Sequence, residues 1–489
     1  MADYGSCHAQ CSVKNQLPAL AVLLAGIVLA ALALSWWRTT AAAPMVAPRV
    51  EIAGELGGSE AASGPAEVVR IGEHFKKFDG LPGRHPGAWP GFRGAAGNIV
   101  AGDPRLLDHW PEGGPPVLWS VKLGEGYAGP AVMNGCVYVL DYDGAESADS
   151  LRCFSMDDGR EIWRRWYKVQ VKRNHGMSRT VPAVTERHVV TIGPRCHVMC
   201  ADAATGDFRW GIDLEKDWGA KVPMWYAGQC PLIDGKEAVI AAGGKALMIG
   251  VEIETGRVAW QTPNPRGWQM SHSSVVPMTI AGKKMFVYCA LGGMAGVSAE
   301  GADRGALLWE TDAWNHSVVA PSPVSLGDGR IFMTSGYGVG SAMFKVTEEN
   351  GVFAARQLYR LDKSVFACEQ HTPVFYSGHL YTVLPADAGA MRRQAVCMDP
   401  EGKVAWASVP GERFGLGPFM IADGKLLVMD DDGVLTMIEA GLKGYVRLAR
   451  ARVLDGKEAW APMALVNGLL LARDYSRMVC LDLRAGKER

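Results

Sequence analysis

Along most of the chain, apolar and polar residues alternate in short runs broken by Gly-containing turns. PAVMNGCVYVL (130–140), PAVTERHVVTI (182–192), PVSLGDGRIFM (323–333), PVFYSGHLYTV (373–383) and PFMIADGKLLVM (418–429) each read as two strands around a tight turn. Each such hairpin is followed by a second, related pattern. CFSMDDGREIW (153–163), CADAATGDFRW (200–210), GVEIETGRVAW (250–260) and CMDPEGKVAW (397–406) run from a small residue, through an acidic-Gly turn, to a large aromatic. The final copy, CLDLRAGKER (480–489), stops where its aromatic strand would start. Two hairpins per period predict a four-stranded antiparallel sheet, repeated radially.

The period is 40–50 residues, in the range of propeller repeats. Outer-strand aromatics fall at Trp119, Trp163, Trp210, Trp260, Trp309, Tyr359 and Trp406, with a degenerate eighth expected near 445–448. Inner strands start at Pro130, Pro182, Pro231, Val275, Pro323, Pro373, Pro418 and Pro462, eight in all. The last repeat lacks an outer strand, and a surplus strand, 117–123, precedes the first. Pairing the two closes the ring and removes an exposed sheet edge. The expected fold is therefore all-β, an eight-bladed β-propeller closed by an N-terminal strand, over residues 87–489.

The Asp-x-x-Thr-Gly-x-x-x-Trp run at 202–210 resembles the tryptophan-docking repeat of PQQ-like eight-bladed propellers, the group of quinoprotein alcohol dehydrogenases and BamB-type assembly proteins. WPGFRG (89–94) is similar to the opening of membrane-anchored or secreted PQQ-like proteins of planctomycete-type bacteria. The resemblance covers about 89–489 and speaks to fold rather than activity. For a family dehydrogenase it implies PQQ with Ca²⁺, a carboxylate base and two adjacent cysteines. No Cys-Cys pair is present, and no Glu, Asn and Asp set stands out at the blade starts. No cofactor, metal or catalytic residue is assigned. Cys196-x-x-x-Cys200 is a loose spacing for zinc, and no second pair follows. Phosphate-loop, nucleophile-elbow and zinc-protease motifs are absent.

Ahead of this region the pattern changes. Residues 17–37 carry no charge, and a helix of that length spans roughly 30 Å, the thickness of a bilayer core. Trp36, Trp37 and Arg38 suit an interfacial anchor. A transmembrane helix or uncleaved signal anchor is the leading expectation; a cleaved signal peptide and a buried core helix are the competing readings. Residues 1–16 form a short tail. Residues 38–86, rich in Ala, Gly, Pro and Glu, read as a flexible linker with a possible short helix at 67–75. The expected placement is single-pass in a bacterial inner membrane, with the propeller in the periplasm.

Composition narrows the partners. Fifty basic residues against 51 acidic ones leave no basic surplus, so nucleic acid is excluded as the expected partner. Eleven cysteines in 489 residues are too few for a disulfide scaffold. Cys153, Cys200, Cys397 and Cys480 share one repeat position and read as small buried strand residues.

Candidate chemistry lies in the connections before the inner strands: RNHGMSRTVP (173–182), MWYAGQCP (224–231), RGWQMSHSS (266–274), WNHSVVAPSP (314–323), EQHTP (369–373), RFGLGP (413–418) and EAWAP (458–462). In a propeller these gather at one mouth of the channel. They bring His175, Arg179, Trp225, Gln229, Trp268, His272, Trp314, His316, Glu369, Gln370, His371 and Trp460 as candidate ligand-binding residues. The histidines share no common repeat offset, which argues against a metal cluster. The expected function is a monomeric binding scaffold for a protein, glycan or small ligand. The alternative is a divergent quinoprotein or metal-dependent enzyme using the same mouth.

Overall fold

The computed structural model describes residues 26, 28–32, 35, 68–102, 105–171 and 178–485. Two compact units appear, 1–67 and Val68–Arg489. In the first, the described residues are helical; the rest of the apolar segment 17–37 lies outside the described residues. Among those described, no helix is long and apolar enough to cross a membrane.

The second unit is a set of eight antiparallel sheets. Their inner strands are Ala131–Met133, Ala183–Val184, Leu232–Asp234, Val276–Ile280, Val324–Ser325, Val374–Tyr376, Phe419–Ala422 and Ala464–Val466, which define blades 1 to 8. Each begins just after the Pro or Val expected to start it. Proline suits this place because it lacks an N–H and nothing further inward needs one.

The ring closes as the surplus strand demands. Val117–Lys122 pairs antiparallel with Arg477–Asp482, with Trp119 opposite Cys480. Arg473, 1% exposed, staples the seam. Its guanidinium donates to the carbonyls of Gly124, Ala128, Leu140, Asp474 and Tyr475, at 3.0–3.3 Å.

The repeated small residue has a direct cause. Cys153, Cys200, Gly250, Gly296 and Cys397 pair across strands with Trp163, Trp210, Trp260, Trp309 and Trp406. The indole lies over its partner, and a Cβ at Gly250 or Gly296 would overlap the ring. Several of these aromatics also donate to the following blade, as Trp210 Nε1 does to the Ile253 carbonyl at 2.8 Å and Trp119 Nε1 to Met156 at 2.9 Å. Blade 7 departs from the expectation of a degenerate aromatic at 445–448. There Ala449 stands opposite Met437, and Tyr445 instead packs on Trp406, 6.0 Å between centroids.

The expected linker boundary is also corrected. Residues 68–86 belong to the propeller unit, and His74–Lys77 is a strand, not a helix, paired with Glu161–Lys168 as a fifth strand of blade 1. The glycines read as flexible serve close approach instead. Gly80 N–H bonds the Glu161 carbonyl at 3.0 Å and Gly83 N–H that of Gly135 at 2.8 Å, where a side chain would collide.

WPGFRG turns out to be part of a plug. Trp89 bridges Val132 of blade 1, the Pro90 carbonyl accepts from Val184 N–H of blade 2, and Arg93 reaches the Pro373 carbonyl of blade 6. Val100–Ala101 then runs parallel to the inner strand of blade 7, and Leu107 N–H bonds the Leu483 carbonyl. The segment thus crosses the channel beside the ends of the inner strands, with Trp89 and Ile99 buried.

Candidate functional site

The opposite end of the channel is built by two kinds of connection. One joins the outer strand of a blade to the next inner strand. The other joins the second strand of a blade to its third. Together they set carboxylates against aromatic donors. Tyr127 Oη donates to Glu458 at 2.6 Å, Tyr475 Oη to Glu125 at 2.9 Å and Trp460 Nε1 to Asp431 at 2.7 Å. Tyr337 bonds Glu369. Tyr127 packs on Trp460 and Tyr475 at 5.1 and 5.6 Å, and the Arg179 guanidinium lies 5.8 Å over its ring. Trp225 stacks between His272 and Tyr337, at 6.1 and 5.8 Å with interplanar angles of 22° and 27°.

The backbone here is unusual. Trp225, Tyr226, Tyr337 and Glu458 all hold left-handed φ values, 63°, 71°, 55° and 58°. Bulky residues in this region cost on the order of 1 kcal/mol or more each, and such strain clusters at functional sites. The mouth therefore presents aromatic faces at the expense of local relaxation.

Burial sets the charge states. It pushes the His272 imidazole down to about 3, with Arg179 adding repulsion. It pushes His371 down to about 4. Both are neutral at pH 7. The Glu369 carboxyl is raised, first by burial and then by Asp387. Burial likewise lowers Arg179 to about 10, leaving it charged.

Beneath the mouth a belt of hydrogen bonds links blades at the residue before each inner strand. Val181 N–H donates to Cys230 Sγ (3.2 Å), Cys230 N–H to Ser274 Oγ (3.0 Å), Ser274 N–H to Ser322 Oγ (3.0 Å) and Ser322 N–H to Thr372 Oγ1 (2.8 Å). The equivalent positions in the remaining blades are Gly417, Ala461 and Gly129, which carry no side-chain acceptor.

Of the residues expected at the mouth, the ring brings together Arg179, Trp225, His272, Glu369 and Trp460. His371 is half-buried, its ring edge on Phe419 at 6.0 Å. Gln370, beside it, is also half-buried. Three others serve packing. Gln229, fully buried, clamps the N–H and carbonyl of Ala241 at 2.7 and 2.9 Å. Trp268 is buried where a Cβ at Gly292 or Gly293 would strike its ring. Trp314 is buried against Phe344, with Arg360 over its ring at 5.2 Å. His316 contacts that same Trp314 and Arg360, lining a separate open groove of about 750 Å³ with Arg266, Gln269 and Asp312. His175 lies outside the described residues.

Tyr127, Tyr337, Tyr475, Glu125, Glu458 and Asp431 were not among the expected site residues. Most sit in the second kind of connection or just after the closing strand. The Gly336-Tyr337-Gly338 and Glu125-Gly126-Tyr127 triplets were the available signals, an aromatic beside turn glycine.

The residues present do not fit a calcium–quinone centre. Four mouth carboxylates each accept from an aromatic O–H or N–H instead of converging on a shared point. Among the described residues no three His, Cys, Asp or Glu side chains gather as a metal-holding set. All nine described cysteines are buried and unpaired.

Comparison with known proteins agrees with the fold. Residues 147–357 match a family model described as outer membrane protein assembly factor BamB. No curated protein matches. BamB from Moraxella catarrhalis is similar over 76% of this chain and 98% of its own, at 13% identity and a TM-score of 0.51. The quinohemoprotein alcohol dehydrogenase of Comamonas testosteroni is similar over 82% of this chain and 81% of its own, at 12% identity and a TM-score of 0.55. The quinohemoprotein alcohol dehydrogenase ADHIIG of Pseudomonas putida HK5 covers the same shares at 13% identity and a TM-score of 0.51. At these identities the likeness is one of fold: the chain has the eight-bladed propeller architecture shared by BamB and the quinohemoprotein alcohol dehydrogenases.

Proposed function

We propose that the protein is a binding propeller that captures a peptide, glycan or small ligand in the mouth of its channel. The observation that carries this reading is the ring of aromatic faces and aromatic-bonded carboxylates, held on strained backbone at the end of the channel away from the plug. Aromatic faces stack on sugar rings or apolar side chains, and carboxylates accept from hydroxyl, amide or ammonium donors. Neither use needs an acid, a base or a metal. The apolar segment 17–37 supports anchoring in a bacterial inner membrane, with the propeller in the periplasm.

The test is capture by the full chain on glycan and peptide arrays, followed by titration of each hit by tryptophan fluorescence. Trp225→Ala and Tyr337→Ala should weaken capture by about tenfold or more while leaving the melting temperature nearly unchanged. Capture that survives both substitutions removes the mouth from the account. Protease digestion of spheroplasts tests the topology: a propeller that stays protected excludes the periplasmic placement.

A further inference from the structure

Four arginines are buried among the described residues, Arg93, Arg152, Arg165 and Arg473, and they are compensated very differently. Arg165 donates to the carbonyls of Gly72 and Gly206 and feels Asp207 nearby. Arg152 pairs with Asp141 and Glu161 at 2.9 and 2.8 Å. Arg473 donates to five carbonyls and feels Asp141 and Asp474 nearby. Arg93, in the plug, has neither kind of support. It is 5% exposed. Its guanidinium bonds protein through Nη2 alone, to the carbonyls of Asn98 (3.3 Å) and Pro373 (3.1 Å). Nε is enclosed and has no acceptor. Among the described residues no Asp or Glu acts on it; the titratable neighbour is Cys368. Burial pushes that thiol up to about 12, so it carries no charge at neutral pH. A cation taken out of water without a counter-charge is strongly disfavoured, and protein structures answer it with a paired anion.

Next to Arg93 the inter-blade belt comes to its end. Pro373, which Arg93 touches, follows Thr372, the last acceptor of the inter-blade belt. Beyond it, Gly417, Ala461 and Gly129 bring no hydroxyl or thiol. The amides of Thr372, Gly417 and Ala461 therefore lack the side-chain acceptor that their counterparts in blades 2 to 5 possess. A cation and a run of amides on one arc of the channel are the chemistry of an oxyanion site.

We propose that the channel arc of blades 6 to 8 binds a small oxyanion, a carboxylate or a sulfate-like ion, with Arg93 as its charge partner and the belt amides as further donors. This site uses backbone amides beneath the mouth and none of its aromatic or acidic side chains, and it stands whether or not those side chains capture a ligand. The anion can be free in solution or be the carboxylate end of a larger molecule.

The experiment is anomalous diffraction from crystals of the protein soaked in selenate, with thermal-shift titrations of sulfate and of acetate at constant ionic strength. The expected result is a selenium peak within hydrogen-bond reach of Arg93 and a saturable stabilisation, weakened about tenfold or more in Arg93→Gln. Stabilisation by acetate as well as sulfate assigns the site to carboxylates in general; stabilisation by sulfate alone assigns it to inorganic oxyanions. Should Arg93→Gln fail to fold, the selenate map of the natural chain decides alone. A map without a peak at Arg93, or a titration identical in the folded variant, overturns the proposal and leaves Arg93 as a staple between plug and blade 6.

Discussion

The two ends of the channel are made from the same eight blades and are put to opposite uses. At the plugged end, residues 86–102 run beside inner strands, 105–107 bond the end of blade 8's third strand, and Trp89 and Ile99 are buried. At the mouth, Trp225, Tyr226 and Tyr337 are held in left-handed conformations and keep their rings half-buried or exposed. Both ends hold left-handed backbone, at Arg93 and Ile99 in the plug as at Trp225, Tyr226 and Tyr337 in the mouth; in the plug it accompanies burial, and at the mouth it leaves aromatic rings facing outward. The contrast teaches that a closed repeat ring supplies rigidity to both ends, and that only the connections decide which end is sealed and which presents side chains outward.

The largest effect that could break this contrast belongs to the plug. Trp89→Ala should cost about 3–5 kcal/mol in a denaturant titration, the usual range for truncating a buried tryptophan. A loss below about 1 kcal/mol would mean that the plug is a loosely held strap and that the channel is open at both ends.

Next comes the buried acid at the rim of blade 1. Asp149, 2% exposed, accepts from Ser178 Oγ at 2.5 Å and Tyr167 Oη at 3.2 Å. Burial pushes its carboxyl up to about 7, with Asp141 adding repulsion. The folded state therefore holds a proton that the unfolded chain releases near pH 4. Stability from this group is greatest below that value and is lost as pH rises through about 7. Asp149→Asn should remove that dependence and gain about 4 kcal/mol relative to the natural chain at pH 8. Parallel melting curves from pH 5 to 8 would show no separation of the two proteins if the acid were already ionised at no cost.

The smallest effect sharpens the comparison most. Tyr337→Gly relieves a left-handed backbone and removes a stacking face. The expected outcome is a gain of about 0.5–1 kcal/mol in stability together with weaker capture. A stability loss would show that the Tyr337 ring is there for packing.

Legibility followed the repeat. Eight inner strands and the closing pair were readable because each blade imposes the same demands: a proline before the inner strand, a small residue beneath an indole, and a glycine in the turn. The placement of side chains at the channel end was only half readable. Arg179, Trp225, His272, Glu369 and Trp460 could be placed near the channel end because they precede inner strands. Trp268, Trp314 and Gln229 occupy the same connections yet are buried, since an indole or amide there can as well fill a gap between blades as face the channel. Tyr127, Tyr337 and Tyr475 were missed because their segments carry no repeat signature. The glycines at 80 and 83 misled for a physical reason: a composition that permits flexibility also permits close docking, and only the partner strand tells the two apart.

Hydrogen exchange of the full chain, with and without the glycan or peptide recovered by capture, tests the central claim most directly. The account predicts added protection at 224–228, 336–338 and 458–461, and none at 86–101. Protection confined to the plug, or to the groove beside His316, would contradict it.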